Sequence, residues 1–374
     1  MSRYPILANA AAVLFGLALV LLPAELILRF LPVNTGLRTV AVNADQPVFH
    51  FTPNRPFVYS NGWNLAMANT GRVNNAGFVN DQDYRHDGPP LLGVVGDSYV
   101  EALMVPYGQT FHGRLAAEAG DRERIYSFAA SGAALSQYLA FARHATRDWG
   151  ATALIIVIVG NDFDESLASI HIGPGFHHYV EGSDGELCLK LFDFVPSPLG
   201  RLMVHSALGR YLIFNLGGAE LWNRVAPETG LITAAWAASP TYVGNTLADA
   251  DTVRISQSER AADAVFRDLP LWTGLPPEQI LFVVDGLRYP ASAGSHPEQS
   301  YFMRMRGYFL AQAQAQGYEA IDVDPAFFSH AAAHPDDRFE YPRDGHWNTL
   351  AHGIVADLIR RSEFYSRINR PSRP

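Results

Sequence analysis

The chain has 374 residues, 48% of them hydrophobic and 17% charged. That is ample apolar material for a packed core and excludes an intrinsically disordered chain. With 28 Lys+Arg against 37 Asp+Glu the formal charge is −9, so no general attraction to phosphate backbones exists and no nucleic-acid partner is expected. One cysteine, Cys188, allows neither an intrachain disulfide nor a multi-cysteine metal site.

No charged side chain stands between Tyr4 and Ala24, and residues 6–22 are dominated by Ile, Leu, Val, Ala and Phe. A helix of about 20 residues crosses the hydrocarbon core of a bilayer, so this stretch predicts a transmembrane helix. A cleaved signal ends in small residues, whereas this run ends Leu22-Pro23-Ala24-Glu25. We therefore expect a retained signal anchor over residues 1–30, with Arg3 inside and the rest of the chain extracytoplasmic, in the periplasm or at the cell surface. No second long apolar run follows, which predicts a single-pass membrane protein.

Residues 31–90 are rich in Pro, Asn and Gly and weak in periodicity, and read as a stalk and an irregular, short-stranded lead-in. A domain over residues 91–374 follows. Leu91-Leu92-Gly93-Val94-Val95 is a short apolar run of the kind a buried parallel strand shows. Further strands are predicted at 125–129, 153–159, 280–284 and 319–323. Helices are predicted around Phe111, Leu115 and Ala119, then at 135–145, 301–316 and 349–361. Strands alternating with amphipathic helices predict an α/β fold with a parallel sheet covered on both faces. The alternation breaks at about 166–268, too long for an ordinary connection, which predicts an insertion capping the sheet edge or the site. Its aromatics (Phe192, Phe194, Tyr211, Phe214, Trp222 and Trp236) read as core. Its histidines, His171, His177 and His178, lack a carboxylate partner at helical spacing and read as solvated or lid-lining, so no metal is expected. No cofactor pattern is found either.

Ligand and active sites of open parallel sheets lie beyond the carboxyl ends of the strands. Polar clusters stand at those points: Gly96-Asp97-Ser98, Ser131-Gly132 and Gly160-Asn161-Asp162. A fourth, Asp344-Gly345-His346-Trp347-Asn348, is expected to open the last helix. Acyl transfer needs a nucleophile, a base, a group that orients the base, and donors for the oxyanion, and the clusters hold one candidate for each. Each cluster alone has an ordinary reading. Asp97-Ser98 suits a helix N-cap, Gly132 a turn, Asn161-Asp162 an Asx turn, and His346 a packed histidine. Asp162 reads as a shaper of the Asn161 loop and Asn348 as a cap of the last helix.

The four blocks in this order resemble the SGNH (GDSL-like) hydrolase superfamily. The likeness covers roughly residues 90–165 and 275–362, and the anchor and lead-in resemble those of membrane-anchored bacterial members. No G-x-S-x-G elbow is present, which counts against an α/β-hydrolase of that type. The resemblance implies a flavodoxin-like three-layer α/β/α sandwich with a five-stranded parallel sheet. It implies Ser98 as nucleophile, His346 as general base and Asp344 as its orienting acid, with an oxyanion hole from the Ser98 and Gly132 N–H groups and the Asn161 amide. Many relatives place the acid three residues before the histidine, where this chain has Arg343. The implied activity is a serine esterase forming an acyl-enzyme, acting on O-acetyl or short acyl groups of envelope or extracellular substrates, such as an acylated carbohydrate or a small ester. One alternative is an O-acetyltransferase of envelope polysaccharide working with a multipass membrane acyltransferase partner. The other is a non-catalytic carbohydrate-binding protein on a hydrolase fold.

Overall fold

The computed structural model describes residues 4–217, 250–290, 297–342 and 344–368. Trp222, Trp236 and Arg343 lie outside the described residues. The chain begins with helix α1 (Tyr4–Leu28), whose apolar side chains are largely exposed; Ala8–Leu28 is long and apolar enough to cross a membrane.

The five predicted strands form one sheet. They are β3 (Leu91–Gly96), β4 (Arg124–Ala129), β5 (Ala151–Ile158), β8 (Ile280–Val284) and β9 (Glu319–Asp322), in the order β4-β3-β5-β8-β9, every neighbouring pair parallel. Alternate side chains go to opposite faces of a strand, and here both faces are apolar. Leu91, Val95, Phe128, Leu154, Ile156 and Phe282 meet helix α4 (Leu135–Arg143), the long Thr252–Thr273 helix and the Tyr301–Ala315 helix. Their neighbours Leu92, Val94, Ile125, Ile155, Val157 and Leu281 meet helix α3 (Phe111–Ala119), the Asp324–Ala333 helix and the Thr349–Arg361 helix. The result is the expected three-layer α/β/α sandwich.

Three sequence expectations need correction. Residues 33–84 hold the short strands expected of the lead-in but pack on the body instead of standing off as a stalk. They form a hairpin, β1 (Arg55–Asn61) with β2 (Ala66–Val73), and bury Val33, Val42, Phe49, Phe51, Phe57, Tyr59, Phe78 and Tyr84. Tyr84 stacks on Tyr126 of β4, 3.9 Å between ring centres, and its hydroxyl donates to the Ser127 carbonyl at 2.6 Å. The Pro and Asn that suggested a stalk serve local turns, as where Asn74 Oδ1 accepts from the Ala76 and Phe78 N–H groups. Second, the insertion is shorter than predicted. The Thr252–Thr273 helix crosses from β5 to β8 and puts Ala261, Ala262, Val265, Phe266 and Leu269 into the core. The additional material lies ahead of it, as a hairpin β6 (His177–Glu181) with β7 (Leu187–Leu191) and two short helices, Pro198–Met203 and Ala207–Arg210. Third, the Asp344–Trp347 segment is a strand, β11, paired with β10 (Glu340–Tyr341), and only Asn348 starts the last helix, accepting from the Leu350 and Ala351 N–H groups.

The end of α1 is fastened to this body. The Glu25 carboxylate accepts from the Ser206 hydroxyl at 2.8 Å and from the Ala207 and Leu208 N–H groups at 3.1 and 2.8 Å, capping the Ala207–Arg210 helix. A few residues on, the Pro32 carbonyl accepts from Ser60 Oγ at 2.6 Å.

Candidate active site

Strand β3 lies between β4 and β5, so the segments that leave the carboxyl ends of these three strands are neighbours. They carry Ser98, Gly132 and Asn161. Ser98 opens a single helical turn, α2 (Ser98–Glu101), whose N-cap Asp97 accepts from the Tyr99 N–H at 2.9 Å. The turn closes at Ala102 in a left-handed conformation.

β11 delivers the partners. His346 Nε2 lies 2.7 Å from Ser98 Oγ, and His346 Nδ1 is in close hydrogen-bond contact with Asp344 Oδ1. The His346 backbone N–H also donates to that oxygen at 3.0 Å, which a two-residue spacing on a strand makes possible. Acid at minus two is therefore stereochemically competent here. Ser98, His346 and Asp344 form one continuous hydrogen-bonded line, although 246 positions separate Ser98 from Asp344 in the sequence. Ser98 Oγ has a second, longer contact, 3.3 Å, with Asp97 Oδ2.

β11 is held by a buried ion pair. Asp285, just past the end of β8, and Arg288 are fully buried, with Arg288 Nη2 2.7 Å from Asp285 Oδ2. Arg288 Nη1 donates to the Gly345 carbonyl at 2.6 Å, Trp347 Nε1 donates to Asp285 Oδ1 at 3.0 Å, and Tyr99 Oη donates to the same Gly345 carbonyl at 3.0 Å. Gly345 is thus pinned between the acid and the imidazole. Sequence reasoning missed this pair, because Asp285 and Arg288 in a loop look like solvated charges.

The second side of the site is built from Ser131, Gly132 and Asn161. Gly132 has φ +81, a backbone region that L side chains rarely adopt, while a Cβ would meet only the Phe176 ring at 3.7 Å. Conformation, not space, selects glycine there. Glu101 of α2 accepts from the Ser131 N–H at 3.3 Å and closely from its hydroxyl, which fixes the loop before Gly132 to the helical turn that carries Ser98. Asn161 Nδ2 donates to Glu165 Oε2 at 2.8 Å. Asp162 behaves as expected of a loop shaper, accepting from the Val159 N–H at 2.7 Å and from Tyr138 Oη at 2.7 Å. Glu101 and Glu165 were not predicted.

Charges follow from these surroundings. Burial alone would raise the Asp344 carboxyl, but the His346 ring overrides it and holds it down at about 2. Burial alone would lower the His346 ring, and Asp344 overrides that too, leaving it above the ordinary imidazole value. Burial pushes Asp97 up to about 6, and Glu101 and Glu165 up to about 7.

Two histidines of the insertion, His177 and His178, are held by hydrogen bonds, and His178 is buried, not solvated as expected. His177 contacts Gln137 Oε1 at 3.0 Å, and His178 lies 3.0 Å from the Glu165 carbonyl and accepts from the Gly173 N–H at 2.9 Å. Among the described residues no cluster of three or more His, Cys, Asp or Glu could hold a metal.

No family model matches the chain, and no curated protein does. Among solved structures it is similar to LAE5, an α/β hydrolase enzyme from the metagenome of Lake Arreo, Spain. The identity is 12% and the TM-score 0.40, over 76% of this chain and 99% of that one. It is also similar to the acetyl xylan esterase AlAXEase, at 10% identity and TM-score 0.38, over 74% of this chain and 99% of that one. A member of the lipolytic protein G-D-S-L family from Veillonella parvula gives 11% and 0.35, over 73% and 97%. The likenesses are loose and decide nothing about substrate.

Proposed function

We propose that the protein is a serine esterase of SGNH type, and the observation that carries this is the hydrogen-bonded line from Ser98 Oγ through His346 to Asp344. With Nδ1–H donated to Asp344, the neutral imidazole offers its Nε2 lone pair to the Ser98 hydroxyl, the tautomer a general base requires. His346 takes the proton as Ser98 Oγ bonds to the ester carbonyl carbon. Asp344, ionised at any pH at which enzymes ordinarily work, stabilises the imidazolium that results. The oxyanion is met by the Ser98 and Gly132 N–H groups and the Asn161 amide. His346 returns its proton to the departing alcohol, leaving acyl-Ser98. A water molecule then repeats the sequence, with His346 again as base, and releases the acid and free Ser98.

The substrates are O-acetyl or short acyl esters of envelope or extracellular molecules, with α1 as membrane anchor and the sandwich outside the cytoplasm. The apolar length of α1 and its capping contact through Glu25 support a body held close to a membrane. A fluorophosphonate probe tests the nucleophile. Wild-type protein should be labelled at Ser98, as mapped by mass spectrometry, and Ser98→Ala should not; labelling at another residue or at none defeats the reading. Product analysis with an acetyl donor and a glycan acceptor separates hydrolysis, which releases free acetate, from transfer, which gives acetylated glycan.

A further inference from the structure

Tyr59 lies on β1, in the lead-in and outside the two stretches that carry the four blocks. Its side chain is buried, and its hydroxyl donates to Asp344 Oδ2 at 3.0 Å across 285 positions of sequence. This is the carboxylate oxygen that His346 does not use, since both His346 N–H contacts go to Oδ1. A carboxylate held through one oxygen can turn about its Cβ–Cγ bond, whereas donors on both oxygens fix its plane. Second donors of this kind orient ligating and catalytic carboxylates generally.

Tyr59 is itself held on both sides. Phe57 and Tyr59 pack on Ala102, Leu103, Met104 and Val105, the segment that follows the Ser98 turn, and Asn69 Nδ2 donates to the Leu103 carbonyl at 2.8 Å. The next residue, Ser60, donates to the Pro32 carbonyl, while its own carbonyl accepts from Asn34 at 3.2 Å and from Asn215 of the insertion at 3.1 Å. Burial, with the adjacent Asp344 charge, keeps the Tyr59 hydroxyl protonated, so it remains a donor.

We propose that Tyr59 is a positioning residue for the Asp344–His346 pair, supplied by the lead-in hairpin, so that residues before the sandwich complete the active site. The proposal rests on the reading of Ser98, His346 and Asp344 as the catalytic line. By sharing the negative charge of Asp344, Tyr59 also tempers the pull of that carboxylate on the imidazolium. Among the described residues the other titratable or charged groups facing the pair include Asp97, Tyr99, Glu101, Arg288, Tyr341 and His352.

The test is Tyr59→Phe in the full chain, reconstituted in detergent or nanodiscs. Its first readout is the NMR titration of His346 in protein labelled at histidine Cε1, assigned by comparison with His346→Gln. Without the Tyr59 donor the Asp344 carboxylate pulls harder, so the His346 titration should move to higher pH. The second readout is ester hydrolysis, where kcat should fall roughly tenfold, the value of one hydrogen bond to a charged group, with KM little changed. In an Asp344→Asn background the same substitution should add no further loss. An unmoved His346 titration overturns the proposal, and so does loss of the cooperative melting transition, which would make Tyr59 a folding residue only. The NMR readout needs no turnover, so a protein that shows the shift but is not labelled at Ser98 leaves the Tyr59 coupling standing and defeats the esterase reading alone.

Discussion

The two sides of the Ser98 hydroxyl treat carboxylates in opposite ways. On the His346 side, Asp344 faces an imidazole and a tyrosine hydroxyl and is held at about 2. On the side of Gly132 and Asn161, Glu101 is buried and Glu165 half-buried, both face hydroxyls and amides, and burial pushes each to about 7. Burial raises the carboxyls on both sides, so their partners decide the outcome, with the like charges of Asp97 and Asp164 adding to the rise on the second. A group able to carry positive charge compensates the lost hydration, and neutral donors compensate it only in part. One side of the site therefore holds a fixed charge beside the imidazole. The other uses carboxylates near neutrality as braces for the loops that carry Gly132 and Asn161.

Removing the charge on the first side gives the largest expected effect. Asp344→Asn keeps the shape but deprives His346 of its ionic partner and permits the wrong tautomer, so kcat for ester hydrolysis should fall by roughly 10⁴-fold. Loss of less than about tenfold would show that the fixed charge is not the important difference between the two sides. On the second side, Asn161→Ala removes one oxyanion donor and should slow turnover by roughly 100- to 1000-fold, or about 2.7–4 kcal/mol of barrier. It leaves Glu165 without that amide, so Glu165 should titrate still higher than in the wild type. Steady-state kinetics on p-nitrophenyl acetate measures both.

The pH dependence separates the sides further. His346 must be neutral to accept the Ser98 proton, and Asp344 raises its titration above the 6.5 of a free imidazole. The acid limb of kcat/KM should accordingly lie above pH 6.5 and move to lower pH in Asp344→Asn. A limb that stays in place would assign it to Asp97, Glu101 or Glu165 instead.

The legibility of these features in the sequence follows the same division. The parallel strands were readable because burial on both faces makes them continuous apolar runs, as 153–159 shows, and each polar cluster at a strand end marks a place where the sheet stops. Ser98, Gly132 and Asn161 stand at such places. His346 and Asp344 were picked out by the family pattern of the fourth block, since the strand that carries them was not predicted. The braces were not. Glu101 lies on a four-residue turn and Glu165 on an irregular loop, and both look like solvent-facing acids. Tyr59 lies in a Pro- and Asn-rich stretch whose turns masked the hairpin, and its contact spans most of the chain. The start of the Thr252–Thr273 helix, TVRISQSER, is mostly polar and only partly buried, so the crossover was taken for insertion.

The smallest expected effect concerns stability and isolates a single brace. Burial pushes Glu101 up to about 7 in the folded protein against 4.5 for a free glutamate, so between those values the folded state binds a proton that the unfolded chain does not. Its contribution to stability is complete below about pH 4.5 and is lost as the pH rises through 7. Glu101→Gln retains an acceptor for the Ser131 hydroxyl and N–H but has nothing to ionise. At pH 5 its melting temperature should therefore lie close to that of the wild type, and at pH 8 it should be the more stable of the two by roughly a few degrees. Buried histidines such as His112, which burial lowers to about 3, act in the opposite sense on the wild-type curve, but they are common to both proteins and cancel in the difference. Calorimetry at the two pH values reads that difference directly. A gap that does not widen between pH 5 and pH 8 would mean that Glu101 is ionised throughout, that water reaches its carboxylate, and that the two sides of Ser98 are more alike than the burial of their carboxylates implies.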